Sequence, residues 1–436
     1  MPTDAPRVWL ATLGCAKNQV DSEKLRGRLA TAGYAEASAP ESADVVMVNT
    51  CAFIEEARRE SVATVLEAAD RRSQGAPLLV LGCMAQRYGA ELAAALPEAT
   101  AVIGMDGYGD LVGDLDALTG HQSAPTPVGD ILYDALRPTP DVPYAFVKAA
   151  EGCDKRCTFC AIPGFRGRQR SRPVTDVVSE VTALCADGVR EVVLVAQDLA
   201  AYGRDLDDAS DLPRLIREAT RAPGLERLRL LYLYPREVTD ALIAAVAGNP
   251  LVAAYFDLSL QHASGRLLRA MSRPGDGGSH LELIDRIRAA APDAALRSSF
   301  ITGFPGETEA DFEELMGFLE AADLDWAGFF PFSAEEGTPA ATLPGQVPSV
   351  EAAERARLLA SRQEEITGRH GAEQMGRTLV VLVDGVEDGV PVGRSHREAP
   401  EIDGVVRLDA GSRGQMVTAR VTASYGDELL AEVLSR

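Results

Sequence analysis

The chain has 436 residues, of which 46% are hydrophobic, 25% charged and only 6% aromatic, and its 43 Lys and Arg against 65 Asp and Glu give a formal net charge of −22. That length allows two or three domains of roughly 100–200 residues each and a core that needs no disulfide staple. The charge is a poor balance for a protein that grips long stretches of phosphate backbone, and it suits a basic partner better. Solubility alone is the other reading of so acidic a chain.

The first residues, MPTDAPRVWLATLG, lack a basic flank followed by a long apolar core, so they do not read as a signal peptide. No apolar run approaches the roughly 18–20 residues of a membrane span. A cytoplasmic protein with no membrane partner is expected.

Short apolar runs then alternate with helical patterns. The runs are RVWLATLGC (Arg7–Cys15), ADVVMVNTC (Ala43–Cys51), APLLVLGC (Ala76–Cys83) and the weaker TAVIGMDG (Thr100–Gly107). Between them lie the amphipathic stretches DSEKLRGRLATAGY (Asp21–Tyr34) and ESVATVLEAADRRSQG (Glu60–Gly75), each closing on a turn residue. This rhythm predicts a parallel α/β domain over residues 1–120. A Pro-rich polar segment, His121 to Pro143, reads as a linker.

A second strand–helix series begins at YAFVKAAEGC (Tyr144–Cys153). It continues through EVVLVAQD (Glu191–Asp198), LRLLYLYP (Leu228–Pro235), AYFDLSLQH (Ala254–His262), ALRSSFITGFPG (Ala295–Gly306) and WAGFFPFS (Trp326–Ser333). Six repeats predict a partial α/β barrel rather than a full eight-fold one, closed by the helical stretch Ser349–Gly371, so that the domain runs over 144–370. From 371 to 436 the pattern changes to short β runs (Thr378–Gly385, Val390–Ser395, Gly404–Asp409, Gln415–Tyr425) separated by Gly and Asp turns, which predicts a small β-barrel. The fold class is therefore α/β with a C-terminal β-barrel.

Seven cysteines, an odd number in a long chain, argue against a disulfide framework and for metal or redox chemistry. Cys153, Cys157 and Cys160 form CxxxCxxC in GCDKRCTFC, directly after the first strand of the second series. Thiolates are the usual protein ligands of iron–sulfur clusters, and close spacing lets one loop wrap a cluster face. Three ligands for a four-iron cluster leave one iron open to a substrate or cofactor. A structural zinc site would want a fourth Cys or His, and none lies nearby in sequence.

Cys15, Cys51 and Cys83 each end an apolar run. In a parallel sheet the carboxyl ends of the strands lie along one edge, so three distant thiols can converge there. Three independent small residues at strand ends is the alternative, since Cys is often buried. Cys185 lies on the apolar face of a helical pattern with Val178, Val181 and Leu184 and reads as an inert core thiol.

CxxxCxxC with an aromatic, Phe159, before its last Cys resembles the radical S-adenosylmethionine superfamily. The resemblance implies that the open iron chelates S-adenosylmethionine and that reductive cleavage yields a carbon radical. FITGFPGE (Phe300–Glu307) is similar to the superfamily segment that flanks the adenine; Ile301 and Gly303 match it, whereas Ser299 stands where a glycine is often found. For Gly303 and Gly306 a strand-end turn is the alternative.

Taken with the spread triad and the terminal barrel, the whole chain resembles the methylthiotransferases, and the barrel resembles their TRAM domain. The resemblance implies two four-iron clusters, an auxiliary one at Cys15, Cys51 and Cys83 that holds sulfur and a radical one at Cys153, Cys157 and Cys160. It further implies a reductant protein such as flavodoxin or ferredoxin. It names no acid–base pair beyond the cluster ligands.

One branch of that family modifies adenosine in tRNA; the other, RimO, adds a methylthio group to the β-carbon of an aspartate in small-subunit ribosomal protein twelve. LGCAKNQVDSE (Leu13–Glu23), NTCAFIEEARRES (Asn49–Ser61) and GRSHREAPEIDGVV (Gly393–Val406) resemble the RimO branch. Charge points the same way. Residues 371–436 carry 7 Lys and Arg and 11 Asp and Glu, a balance of −4, with a single aromatic, Tyr425. A β-barrel that binds RNA presents a basic groove with stacking aromatics, so a basic ribosomal protein is the expected partner and tRNA the alternative. The basic stretch FRGRQRSR (Phe165–Arg172) is read as facing a carboxylate or serving structure rather than RNA. A non-enzymatic two-cluster electron carrier is a further alternative, and it predicts four thiolates on each cluster.

Overall fold

The structure, a computed structural model, describes residues 5–125, 129–134 and 137–435. The chain divides into two compact units. The first comprises Met1–Pro138, Glu151–Asp154 and Ala161–Arg172, the second Thr139–Ala150, Lys155–Cys160 and Pro173–Arg436.

The first unit is built on five parallel strands: β1 (Arg7–Thr12), β2 (Ala35–Glu36), β3 (Val45–Thr50), β4 (Leu78–Gly82) and β5 (Ala101–Ile103), in the order β2-β1-β3-β4-β5. Helices α1 (Ala16–Ala32), α2 (Glu55–Arg71), α3 (Cys83–Ala95) and α4 (Leu111–Thr119) connect and cover them. Side chains alternate faces along a strand. Val45 and Met47 of β3 therefore enter one core with Val8, Leu10, Leu25 and Leu29, while Val46 and Val48 enter the other with Val65, Leu78 and Val80. Central strands covered on both faces read as unbroken apolar runs, as VVMV and LLVL do. Within the segment read as a linker, Ile131 and Leu132 are buried and the Lys24 ammonium donates to the Leu132 carbonyl at 2.8 Å; residues 126–128 and 135–136 of that segment lie outside the described residues.

The second series starts with β6 (Tyr144–Lys148). The cysteine motif follows, flanked in sequence by the short strands β7 (Ala150–Glu151) and β8 (Arg170–Ser171) with the short helix α5 (Ile162–Arg166) between them. Next come α6 (Val174–Ala186), β9 (Glu191–Val195), α7 (Leu212–Ala219), β10 (Arg227–Leu230), α8 (Asp240–Ala247) and β11 (Tyr255–Gln261). After α9 (Gly265–Ala270) and α10 (Gly277–Ala290) the series ends on β12 (Ala295–Thr302), α11 (Glu309–Ala322), β13 (Trp326–Pro331) and α12 (Ser349–Glu373). The ladders β6–β9–β10 and β11–β12–β13 are parallel, and parallel bridges at Leu228–Val252 and Leu233–Leu258 join them. The result is the six-stranded partial barrel expected from the six repeats.

Its core takes Val192, Leu194, Leu228, Leu230, Phe256, Leu258, Leu296 and Phe300 from the strands. Cys185 of α6 joins that core, and burial pushes its thiol up to about 11. Side chains satisfy the free amides that open α10 and α11: Asp276 with Ser279, and Thr308 with Asp311, each form a reciprocal capping box.

The last 58 described residues hold a closed barrel of β14 (Thr378–Glu387), β15 (Val390–Arg394), β16 (Val405–Leu408), β17 (Met416–Tyr425) and β18 (Glu428–Ser435), in the order β14-β15-β16-β18-β17. Closure leaves no unpaired edge. The Gly393–Val406 stretch fixes this barrel to the amino-terminal ends of the larger one. Glu191, fully buried at the start of β9, meets Arg229 Nε at 2.7 Å and Arg394 Nη1 at 2.9 Å. Burial alone would raise the Glu191 pKa, but Arg394, Arg229 and Arg227 outweigh it and hold the carboxyl at about 2. Arg397 pairs with Asp325 at 2.5 Å, and Asp403 accepts from Tyr255 Oη at 2.6 Å and lies 3.3 Å from Arg297 Nε. The segment that resembled one branch of the family in sequence is thus an ionic clamp, in which each buried charge has a partner.

Candidate active site

In the first unit the strand order places β1, β3 and β4 side by side. Cys15 is the residue just before α1, Cys51 follows β3 and Cys83 opens α3, so the three thiols stand at three neighbouring carboxyl ends. Two glycines make that possible. Gly14 has φ +92°, and a Cβ there would lie 2.8 Å from Cys51 Sγ. Gly82 has φ +94°, and its Cβ would lie 2.2 Å from Asn49 Oδ1 and 2.5 Å from the Thr50 carbonyl. Any other residue would be strained by the backbone and would clash with the ring of cysteines or its support.

Behind the thiols lies a satisfied polar layer. Asn18 Nδ2 donates to the Leu13 carbonyl at 2.7 Å, Asn49 Nδ2 to Ser22 Oγ at 2.8 Å, and Ser61 Oγ both accepts from the Cys51 amide at 3.0 Å and donates to its carbonyl. Arg166 completes the layer. Its Nε and Nη2 donate to Cys83 Sγ at 3.3 and 3.0 Å, and its Nη1 donates to both Glu151 oxygens and to Asp21.

The three thiols differ in character. Burial pushes Cys51 up to about 11 and raises Cys83, with Arg166 opposing the rise at both. The protein packed around it also opposes ionisation of Cys15, although its side chain reaches the surface, yet Lys17, Arg166 and the Asn18 and Lys17 amides outweigh this and lower its pKa. Arg166 therefore acts on all three, and the charge of Cys15 raises both buried thiols further. Among the described residues no three His, Cys, Asp or Glu side chains are gathered tightly enough to chelate one ion. Cluster thiolates bind separate irons and stand further apart, and a soft three-thiol set backed by a guanidinium fits that ligation.

The second triad sits on one short run along which the chain passes from the first unit to the second. Cys153 donates its amide to the Gly167 carbonyl at 3.1 Å. Cys157 and Cys160 lie on a turn in which the Cys160 amide donates to the Cys157 carbonyl at 3.1 Å. Thr158 pins that turn, its amide and hydroxyl donating to the Met271 and Ala270 carbonyls at 3.1 and 2.8 Å. Arg273 Nη1 lies 3.7 Å from Cys157 Sγ, with its guanidinium 4.0 Å from the Tyr234 ring centre. Lys155 lies 4.4 Å from the same ring centre and binds Glu237 at 2.5 Å and Asp198 at 3.5 Å. A cation on an aromatic face is held by the ring quadrupole, so Tyr234 orients both groups. The donor set here also fits thiolate ligation of a cluster.

Phe159 and Ile301 pack on one apolar cluster with Leu267, Leu268, Met271 and Phe304. Gly303, at φ +69°, presses against α12, where a Cβ would come within 2.3 Å of Ala352 Cβ, and its amide donates to Glu307 Oε2 at 2.7 Å. Ser299 pairs with Gly328 of β13, and Gly306 has φ +82°.

The FRGRQRSR stretch is not one basic face. Arg166 and Arg172 are buried, whereas Arg168 and Arg170 are exposed and pair with Asp154 and Asp130. Sequence reading missed Arg166 as a neighbour of the thiols, and it missed Arg273, Lys155, Asp198 and Tyr234. The doublet Gly-Cys at Gly14–Cys15 and Gly82–Cys83 was the signal that two of the strand ends serve a crowded site.

Three segments match known families: residues 7–104 the Uncharacterized protein family UPF0004, 147–319 the Radical SAM superfamily and 375–434 the TRAM domain. Two chains described as ribosomal protein uS12 methylthiotransferase RimO are similar over nearly their whole length. That of Moorella thermoacetica is 46% identical over 96% of this chain and 97% of its own; that of Kineococcus radiotolerans is 43% identical over 98% and 97%. The chain belongs to the RimO family. Among solved structures, the radical S-adenosylmethionine methyltransferase TsrM from Kitasatospora setae, with cobalamin and a [4Fe-4S] cluster bound, covers 77% of each chain at TM-score 0.55 and 16% identity. The cobalamin-dependent radical enzyme OxsB covers 83% of this chain and 56% of its own at TM-score 0.52 and 13% identity. These likenesses concern the fold.

Proposed function

We propose that this chain is a radical S-adenosylmethionine methylthiotransferase acting on the β-carbon of an aspartate in ribosomal protein uS12. In this reading Cys153, Cys157 and Cys160 hold one four-iron cluster and Cys15, Cys51 and Cys83 a second. The observation that carries it is the gathering of three thiols around Arg166 at three adjacent strand ends, in a chain that also holds CxxxCxxC. Bound there, the clusters would supply an electron for cleavage of S-adenosylmethionine and a sulfur for the substrate.

The chain's own residues prepare both places. Thr158 fixes the turn carrying Cys157 and Cys160, and the apolar cluster of Phe159, Ile301, Leu267, Leu268, Met271 and Phe304 keeps water from its back. Lys155 and Arg273, oriented on Tyr234, offer cations to the carboxylates of cofactor or substrate. Gly14 and Gly82 let the auxiliary thiols approach, and Arg166 holds one of them.

Ribosomal protein is favoured over tRNA as the substrate by the charge of the terminal barrel and its lone, exposed Tyr425, which offers no stacking platform. No helix among the described residues is long and apolar enough to cross a membrane; in this reading the chain works in the cytoplasm with a protein reductant such as flavodoxin or ferredoxin. An anaerobic assay with S-adenosylmethionine, a sulfur source and a reductant, offering uS12 and total tRNA in parallel, tests the assignment by mass spectrometry. A methylthio increment on one aspartate of uS12 is expected; an increment on tRNA alone overturns the substrate and keeps the chemistry.

A further inference from the structure

Arg166 is buried in the first unit, its side chain only 3% exposed, and its donors are divided along one edge and one tip. Nε and Nη2 form the edge that faces Cys83 Sγ, at 3.3 and 3.0 Å. Nη1 forms the tip that holds Glu151 at 2.9 and 3.0 Å and Asp21 at 3.2 Å, while Nη2 also reaches Asn18 Oδ1 at 3.4 Å. A guanidinium is a rigid planar fork, so carboxylates that grip one nitrogen fix the direction of the other two.

Local sequence explains why the fork is there. Helix α5 is only five residues long, but its Ile162 and Phe165 pack into the same apolar core as Val46, Val48, Val80 and Cys83. The helix cannot turn Arg166 out to water without pulling Phe165 from that core. Arg166 stands six residues beyond Cys160 in the chain, so the stretch that carries the radical motif also delivers a donor to a thiol of the other triad.

We infer that Arg166 is a positioning residue for the auxiliary cluster: it donates two N–H···S bonds to Cys83, fixes that ligand, and raises the reduction potential of the iron it binds. This rests on the assignment of a cluster to Cys15, Cys51 and Cys83. Hydrogen bonds to ligating sulfur and nearby positive charge both favour the reduced, more negative state of a cluster, so the two effects of Arg166 share one sign. Glu151 and Asp21 orient the fork rather than compete for it, since they hold Nη1 and leave the sulfur-facing edge free of carboxylate.

The full chain carrying Cys153→Ala, Cys157→Ala and Cys160→Ala isolates the auxiliary site. It is reconstituted with iron and sulfide under anaerobic conditions and titrated with reductant while the EPR signal of the reduced cluster is followed. Adding Arg166→Gln is expected to keep the iron content and shift the midpoint to lower potential. Arg166→Lys, which keeps the charge and loses the fork, is expected to fall between the two. A midpoint that stays in place or rises in the Gln variant overturns the inference. Where the Gln variant binds no iron, the Lys variant decides: a lowered midpoint supports the inference and an unchanged one overturns it. If the triple-cysteine parent binds no iron, the two-cluster assignment falls and this inference with it, a failure visible before Arg166 is altered.

Discussion

In the proposed reading the two cysteine triads solve the same chemical problem, holding a cluster, with different materials. The auxiliary thiols come from three strand ends more than thirty residues apart, two of them are buried, and an arginine with its own pair of carboxylates lies behind them. The radical thiols come from one run of eight residues, all three are half-buried, and the neighbouring arginine rests on an aromatic ring rather than on acids. A scattered triad depends on the whole sheet for its geometry, whereas a contiguous one depends on a single pinned turn. The first is therefore sensitive to the fold at a distance, and the second to its own loop.

Replacement of the ligands themselves gives the largest effects. Cys157→Ala is expected to reduce S-adenosylmethionine cleavage to background, measured as 5′-deoxyadenosine by chromatography; persistent cleavage would break the division of labour between the triads. Cys51→Ala is expected to leave cleavage running and to stop methylthio transfer, so full transfer by that protein would refute a sulfur-holding role for the scattered triad. Next comes Arg273→Gln, which removes the contact to Cys157 and the stacking on Tyr234. Loss of such an outer partner typically costs roughly 10–100-fold in metal affinity or activity, and iron content with the rate of cleavage would register it. A drop confined to the auxiliary cluster would contradict the placement of Arg273.

Proton chemistry sharpens the contrast within the auxiliary triad. In metal-free protein Cys51, with its thiol near 11, holds about one part in a thousand as thiolate at pH 8, and that fraction grows about tenfold per pH unit. Cys15 is shifted below its ordinary value and is exposed. Iodoacetamide at pH 8 should therefore label Cys15 first, with Cys51 catching up only as the pH rises; equal rates at pH 8 would show that the buried and exposed thiols are not distinct. The smallest effect is expected from Cys185→Ser, which touches only the core of the second unit and should leave both cleavage and transfer intact.

Much of this arrangement is legible in the amino-acid sequence because it is periodic or contiguous. VVMV and LLVL announce central strands, six strand–helix repeats announce an incomplete barrel, and CxxxCxxC needs no fold to be recognised. The convergence of Cys15, Cys51 and Cys83 is legible only through the rule that parallel strands share an edge. The place of Arg166 is not legible at all: in FRGRQRSR it is one of four arginines, and only the burial of Phe165 separates it from exposed Arg168. Arg273, Lys155 and Asp198 were hidden for a similar reason, since their meeting at Tyr234 depends on strand ends far apart in the chain.

The buried ion pairs at Glu191 bear on how such a protein can be rearranged. Cutting the chain before the terminal barrel would leave Glu191, Arg227 and Arg229 without Arg394 and open a charged floor to water. A barrel borrowed from another protein would need to bring its own arginine to the same spot. The terminal barrel is thus a keystone rather than a detachable part, and exchange of terminal barrels between family members is constrained first by charge pairing at this joint.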